Sequence, residues 1–154
     1  MTLLLRTIHG SRLYGLNHDG SDYDYFEVHG FDKFHSKQSI VDDVDTLRVS
    51  LDTFIRRASA GSPQTLEAMW SRQAEVDLIP WRWSFQPDRS LTENVYTRTI
   101  KNFSLSQDRK RRRHAWRLKF NYSDLMNYGQ FNPTLDPARR AVIESLTDQF
   151  ISPI

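Results

Sequence analysis

The chain contains no cysteine. That excludes a disulfide scaffold, a zinc site built on thiolates and a cysteine nucleophile. No apolar run approaches the ~20 residues that a membrane-spanning helix needs. There is no low-complexity tract, and no internal repeat that would point to a solenoid or propeller. Neither sign of charge dominates: 21 Lys and Arg stand against 19 Asp and Glu. With 38% hydrophobic and 26% charged residues the balance is that of an ordinary globular protein, not of a disordered or fibrous one. Residues 1–8 lack a basic front and a cleavage site, and run directly into His9-Gly10-Ser11. They read as a strand and not as a signal peptide, which points to a cytoplasmic protein.

What is present fits one domain, residues 1–154. Residues 3–8 form a compact apolar run ended by Gly10, the pattern of a buried strand. Residues 11–16 suit one short helical piece, and residues 17–21 have turn chemistry. Residues 23–31 and 45–51 alternate as strands do, with a polar loop expected over 32–39. From Asp52 the period changes to that of helices. Phe54, Ile55 and Ala58 share a helical spacing that Gly61 stops, and Ser62-Pro63 opens a second helix that Trp70 closes. Residues 75–88 carry too much proline for a regular element and read as an aromatic-rich connection. Three further helices follow: one capped by Ser90 or Thr92 and reaching Phe103, one capped by Ser106 and ending at Gly129, and one over residues 137–150. Strands first and helices last predict an α+β fold, a small mixed sheet flanked by helices, with an α/β part at about 1–72 and a helical C-terminal part at about 88–154.

The richest stretch is Gly10 to Tyr25. A Gly-Ser pair follows a strand and opens a short helix, where free backbone N–H groups suit an anion such as phosphate. Gly10 admits close approach to the backbone, and the Ser11 hydroxyl adds a hydrogen bond. Asp22 and Asp24 follow at period two, so both side chains lie on one strand face. Two neighbouring carboxylates repel unless a cation lies between them, and Mg²⁺ shares oxygen ligands with phosphates. The pattern therefore points to a nucleotide and magnesium.

Gly10-Ser11, a short helix, and Ser21-Asp22-Tyr23-Asp24 resemble the signature of nucleotidyltransferases of the DNA polymerase β superfamily. Gly10-Ser11-x-x-Tyr14-Gly15, Ser50-Leu51-Asp52-Thr53-Phe54, Gly61-Ser62-Pro63-x-x-Leu66-Glu67 and His114-Ala115-Trp116-Arg117-Leu118 are similar to motifs of its small bacterial and phage branch, over nearly the whole chain. Ser62 stands where that branch has Asn, Glu27 lies near a usual Gly-Val step, and Arg48 occupies a strand expected to be more apolar. The resemblance implies a minimal nucleotidyltransferase fold in a bacterial or phage-infected cell. It implies transfer of a nucleoside monophosphate from a nucleoside triphosphate to a hydroxyl acceptor, with two Mg²⁺ (or Mn²⁺) ions on Asp22, Asp24 and a third carboxylate. Strand parity leaves Asp43 and Asp45 as candidates for that third acid and sets Asp42 apart. The resemblance, which puts the acid five residues before Ser50, favours Asp45 as both metal ligand and base. Gly10, Ser11, Arg12 and Ser21 are expected at the nucleotide.

The run Arg109-Lys110-Arg111-Arg112-Arg113 concentrates positive charge, which attracts phosphate or nucleic acid. At helical spacing Lys110, Arg113, His114 and Arg117 share one face beside an apolar stripe of Ala115, Leu118, Tyr122, Leu125 and Met126, and Arg112 points elsewhere. His114 and Arg117 are expected at the triphosphate. His9, His18, His29 and His35 show no metal-ligand spacing, though His9 adjoins the phosphate cradle. Trp81, Trp83 and Trp116 are expected in the core, with base stacking as their other use. Glu67 is expected on the active-site side of its helix. The acceptor is open: RNA such as a tRNA end, DNA, protein or a small molecule. The rival expectations are a nucleic-acid-binding module built on the basic helix, and a catalytically silent, antitoxin-like interaction protein.

Overall fold

A computed structural model describes residues 2–30 and 36–147. Strands β1 (Thr2–His9), β2 (Tyr23–Gly30), β3 (Ser36–Val41), β4 (Val44–Ser50) and β5 (Ala74–Asp77) form one sheet of order β3-β4-β2-β1-β5. β2 and β4 run parallel and every other pair is antiparallel, so the sheet is mixed. The helices are α1 (Ser11–Tyr14), α2 (Leu51–Ser59), α3 (Pro63–Met69), α4 (Arg89–Ser104), α5 (Arg109–Tyr128) and α6 (Pro137–Leu146), with a 3-10 turn at Pro80–Ser84. The fold is α+β with its helices gathered towards the C-terminus. No described helix is long and apolar enough to cross a membrane.

Period two sorts the sheet into two unlike faces. Leu5, Phe26, Val28 and Val49 point to one side and join Phe54, Leu66, Met69, Tyr96, Ile100 and Leu118 in the main core. The other side carries Arg6, Glu27 and Arg48, which the register sets in one row across β1, β2 and β4. Glu27 is buried there and accepts from Arg6, from Arg48 Nε at 3.1 Å and from His29 Nε2 at 3.0 Å. The two residues that depart from the small-branch pattern, Glu27 and Arg48, are thus partners of each other.

Several elements differ from the sequence reading. The stretch expected as loop holds β3 from Ser36 onward; residues 31–35, His35 among them, lie outside the described residues. β3 was hidden because most of its side chains are exposed, so it shows no buried alternation. Asp42 and Asp43 form a two-residue hairpin turn, both with φ above 50°, the geometry of a type I′ turn. β5 forms within the expected irregular connection because it needs only one neighbour, β1, and stops before Pro80. The α4 cap is Asp88 and the α5 cap Asp108, each through a carboxylate that accepts a backbone N–H; Ser90, Thr92 and Ser106 do not play that part. Ser62 sits at the α3 N-cap, but its hydroxyl accepts from Thr65 Oγ1 and no backbone N–H. Trp81 and Trp83 are about 40% exposed on the 3-10 turn, contrary to a core role. Between them Arg82 is fully buried, held by Asp77 and by the carbonyls of Met69 and Ser71. Ile55 is also exposed, because α2 buries Phe54 and Ala58, one turn apart. α6 ends at Leu146, and residues 148–150 lie outside the described residues.

Arg112 overturns its expected solvent position. It is buried, and its guanidinium donates to the carbonyls of Thr147, Ser106 and Gln107. The run therefore spends one cation on tying the start of α5 to the end of α6. Removing it strands three buried or part-buried carbonyls, so Arg112→Ala should cost about 2–3 kcal/mol. Urea melts of the two proteins check this, and equal midpoints would assign Arg112 to solvent.

Candidate active site

The site lies on the helix-bearing face at the end of the central strands. β1 ends at His9, where Gly10 turns the chain into α1 with φ 69° and ψ −152°, a region open essentially to glycine alone. A Cβ there would lie 2.5 Å from Asp24 Oδ2, so the turn closes directly onto that carboxylate. β2 pairs with both neighbours at this level: His9 opposes Asp24, and Asp24 opposes Asp45. His9, Asp24 and Asp45 thus form one row across β1, β2 and β4, on the face where Leu5, Phe26 and Val49 lie deeper. The hairpin turn holds Asp42 and Asp43 away from this row, so Asp45 is the acid that accompanies Asp24. Gln38 Nε2, on β3, donates to both Asp45 oxygens at 2.9 Å. Burial, then the charges of Asp45 and Asp22, push Asp24 above the ordinary carboxylate range, against the pull of Lys110.

Two cavities meet here. The larger, about 730 Å³, takes in His9, Gly10, Asp24, Asp45, Lys110 and His114. The smaller, about 540 Å³, is bordered by Ser21, Asp22, Arg109, Lys110 and Arg113. Ser11, Asp24 and Lys110 line both. Among the expected site residues, Gly10, Ser11, Ser21, Asp22, Asp24, Asp45, His114 and Arg117 all border this double cleft. Arg12 does not. Its guanidinium donates to the carbonyls of Ser21 and Asp22 and stacks on the Tyr23 ring at 3.8 Å. It braces the turn that carries the acids. Ser21 likewise spends its hydroxyl inside that turn, accepting from the His18 N–H.

Below the cleft sits a buried polar cluster. Arg117 donates to Glu67 Oε2 at 2.6 Å, Tyr14 OH donates to Glu67 Oε1 at 2.6 Å, and the Arg117 guanidinium lies 3.8 Å over the Tyr14 ring. All three residues are at most 5% exposed. Arg117 therefore lines the cavity with its charge already matched by Glu67, and its expected role as a triphosphate ligand gives way to a structural one. Arg113 is similarly held by Glu144 at 2.5 Å. Lys110 forms no ion pair among the described residues and borders both cavities. It is the basic-helix cation best placed for an anionic ligand. His114 accepts from Arg117 Nε through Nδ1 at 3.4 Å. Burial and then the charge of Arg117 push its imidazole down to about 4. Burial likewise lowers His9, whose Nδ1 has no hydrogen-bond partner. Both rings are neutral at pH 7, so His114 meets a ligand as a dipole and not as a cation.

Gln38 was missed from sequence because its strand was missed, and no local signal marks it. Tyr14 was visible only as part of the Gly-Ser motif. In comparisons with known proteins, no family model and no curated sequence matches the chain.

Two outcomes follow from the buried cluster. Arg117→Ala leaves Glu67 as an uncompensated buried carboxylate and should destabilise the fold by about 3–5 kcal/mol. Chemical denaturation measures this; an unchanged midpoint combined with weakened ligand binding would restore Arg117 to the ligand. The pH dependence has a defined sign. His114 titrates near 6.5 when unfolded and near 4 when folded, so between those values the unfolded chain binds more protons. Its contribution, roughly 3 kcal/mol, is present above pH 6.5 and lost as pH falls towards 4. His114→Gln should flatten the melting temperature across this window. A profile as steep as the parent's would show that His114 is not the titrating group.

Proposed function

We propose that the protein is a metal-dependent nucleotidyltransferase that moves a nucleoside monophosphate from a nucleoside triphosphate to a hydroxyl acceptor. One observation carries the reading: Asp24 and Asp45 stand opposite each other on parallel strands, with the Gly10-Ser11 turn closed onto Asp24. Carboxylates forced together in this way, one with its proton affinity raised by the others, suit a divalent cation. Oxygen donors alone favour a hard ion such as Mg²⁺. Among the described residues no group of three or more His, Asp or Glu side chains is spaced to hold a metal by itself. That fits Mg²⁺, which usually keeps waters and takes further ligands from substrate phosphates. Asp24 would hold metal jointly with Asp45 and with Asp22, and the ions would supply charge neutralisation at the reacting phosphate.

The chain's own residues divide the remaining work. Gly10 keeps the backbone clear beside Asp24. Ser11 and Lys110, at the junction of the cavities, bind phosphate oxygens and offset the negative charge of the departing pyrophosphate. Asp45 takes the proton of the acceptor hydroxyl as its oxygen attacks the α-phosphorus and the bond to the β-phosphate bridge breaks. Gln38 holds the Asp45 carboxylate in place for that step. Gln38, Arg12 and the Glu67–Arg117 pair act by preorganisation, so that little reorganisation accompanies the reaction.

The test is Mg²⁺-dependent binding of nucleoside triphosphates by calorimetry. The parent should bind with Mg²⁺ and not with EDTA, and Asp24→Asn should abolish binding while melting like the parent. Asp45→Asn should cost about 10²-fold or more in transfer rate, the scale of general-base removal. Gly10→Ala should lose about 1–3 kcal/mol of stability to its backbone angles and weaken triphosphate binding by displacing Asp24. Mg²⁺-triphosphate binding that survives in both Asp24→Asn and Gly10→Ala would end this reading.

A further inference from the structure

The character of the larger cavity bears on the acceptor, which sequence alone left open. Resting on the nucleotidyltransferase reading, we infer that the acceptor is a small hydroxyl-bearing molecule with an apolar, planar or ring-shaped body, seated in the larger cavity, and not a nucleic acid.

The argument starts from Asp45. It lines the larger cavity and not the smaller one. A hydroxyl that loses its proton to Asp45 must therefore enter the larger cavity. Asp22 borders only the smaller one, so the two acids flanking Asp24 face different chambers. Phosphate-binding groups follow the same division: Ser21, Arg109 and Arg113 stand on the smaller side, with Ser11 and Lys110 at the junction.

The wall of the larger cavity is that of a small-molecule pocket. Tyr14, Leu47, Pro63, Phe103 and Leu118 give it apolar and aromatic surface, and Gln64 and Thr99 add neutral polar groups. A volume of about 730 Å³ is within the range of pockets that enclose drug-sized ligands, about 300–1,000 Å³. Its charges do not suit a polyanion. Arg117 is matched by Glu67, His114 is neutral, and Asp24 and Asp45 offset Arg57 and Lys110. The basic run, the feature that suggested nucleic acid, is largely committed to the fold. Arg112 holds three carbonyls, and Arg113 holds Glu144. A nucleic-acid acceptor needs a continuous set of phosphate contacts, and this wall has none.

The experiment measures three ligands on the full chain: Mg²⁺-ATP, a fluorescent naphthyl ethanol, and a single-stranded oligoribonucleotide. Naphthyl ethanol should bind with an affinity that barely changes with salt. Its binding should fall about tenfold or more in Gln64→Trp and in Thr99→Trp, which fill the cavity from α3 and from α4. Arg111→Ala, an exposed residue outside both cavities, should leave it unchanged. Two variants on different helices guard against one that misfolds, and the parent's own binding needs no variant. Failure of Mg²⁺-ATP to bind the parent overturns the nucleotidyltransferase reading and this inference with it. Mg²⁺-ATP binding without naphthyl ethanol binding overturns the acceptor inference alone. So do tryptophan variants that bind the alcohol as the parent does, and an oligoribonucleotide that displaces it with steep salt dependence.

Discussion

The buried pair of Glu67 and Arg117 is the constraint on which the site depends. Three elements distant in sequence converge on one carboxylate: α1 through Tyr14, α3 through Glu67 itself, and α5 through Arg117. Burial pushes the Tyr14 phenol well above its ordinary value, so it remains a donor to Glu67. A buried ion pair is costly to desolvate and adds little net stability against an apolar substitute of similar shape. Its use here is geometric. α1 has only four residues and could not hold its position by backbone bonds alone. Tyr14 pins it from below. From the outer side, the Leu13 carbonyl accepts from Thr134 Oγ1 and Gln73 Nε2, and the Tyr14 carbonyl accepts from the Leu135 N–H. The Gly10-Ser11 turn is thus fixed by contacts with α3, α5 and the segment before α6.

This explains why the helical half is needed beside a sheet that already carries the acids. Strand pairing sets Asp24 against Asp45, and period two brings them to the helix-bearing face. Pairing alone would leave them at an open sheet surface, in high dielectric, where like charges repel weakly and cations bind weakly. α4 and α5 roof the row and lower the polarity around Asp24, whose raised proton affinity records that burial. The same roof neutralises His114 and seats Phe103 and Leu118 in the larger cavity. Charge matching below, apolar cover above and a carboxylate pair between them are three aspects of one packing arrangement.

The legible parts of the sequence were those in which local pattern and tertiary role agree. Residues 3–8, the Gly-Ser turn, Asp24 and Asp45, and α5 up to its left-handed Gly129 cap have spacings that local geometry dictates. The illegible parts depended on neighbours. β3 and β5 are edge strands, given their place by pairing and not by burial, and they show weak alternation. Asp88 and Asp108 won the caps because a carboxylate just ahead of the helix serves as well as the serine or threonine nearby. Arg112 and Arg117 looked alike, as charges on a helix face. Burial of one against backbone carbonyls, and of the other against Glu67, became visible only once α6 and α3 were in place. A run of like charges encodes where cations begin, but not which of them the fold consumes.

That last point changes how the basic segment bears on function. Five adjacent cations on an isolated helix would act together on any polyanion in reach. In the folded chain they act separately: Arg112 closes carbonyls, Arg113 balances Glu144, and Lys110 is turned towards the acids. Lys110 stands near Asp24 and favours its ionised form. The field at the carboxylates is therefore set by one nearby lysine and not by the whole run. A single cation beside clustered acids leaves a net negative site, the electrostatic condition that draws in a divalent ion before a phosphate. Arrival of the ion would reverse the local sign and allow triphosphate oxygens to settle between metal, Lys110 and Ser11. The order of binding, metal with or before phosphate, follows from the charges that the fold leaves uncommitted.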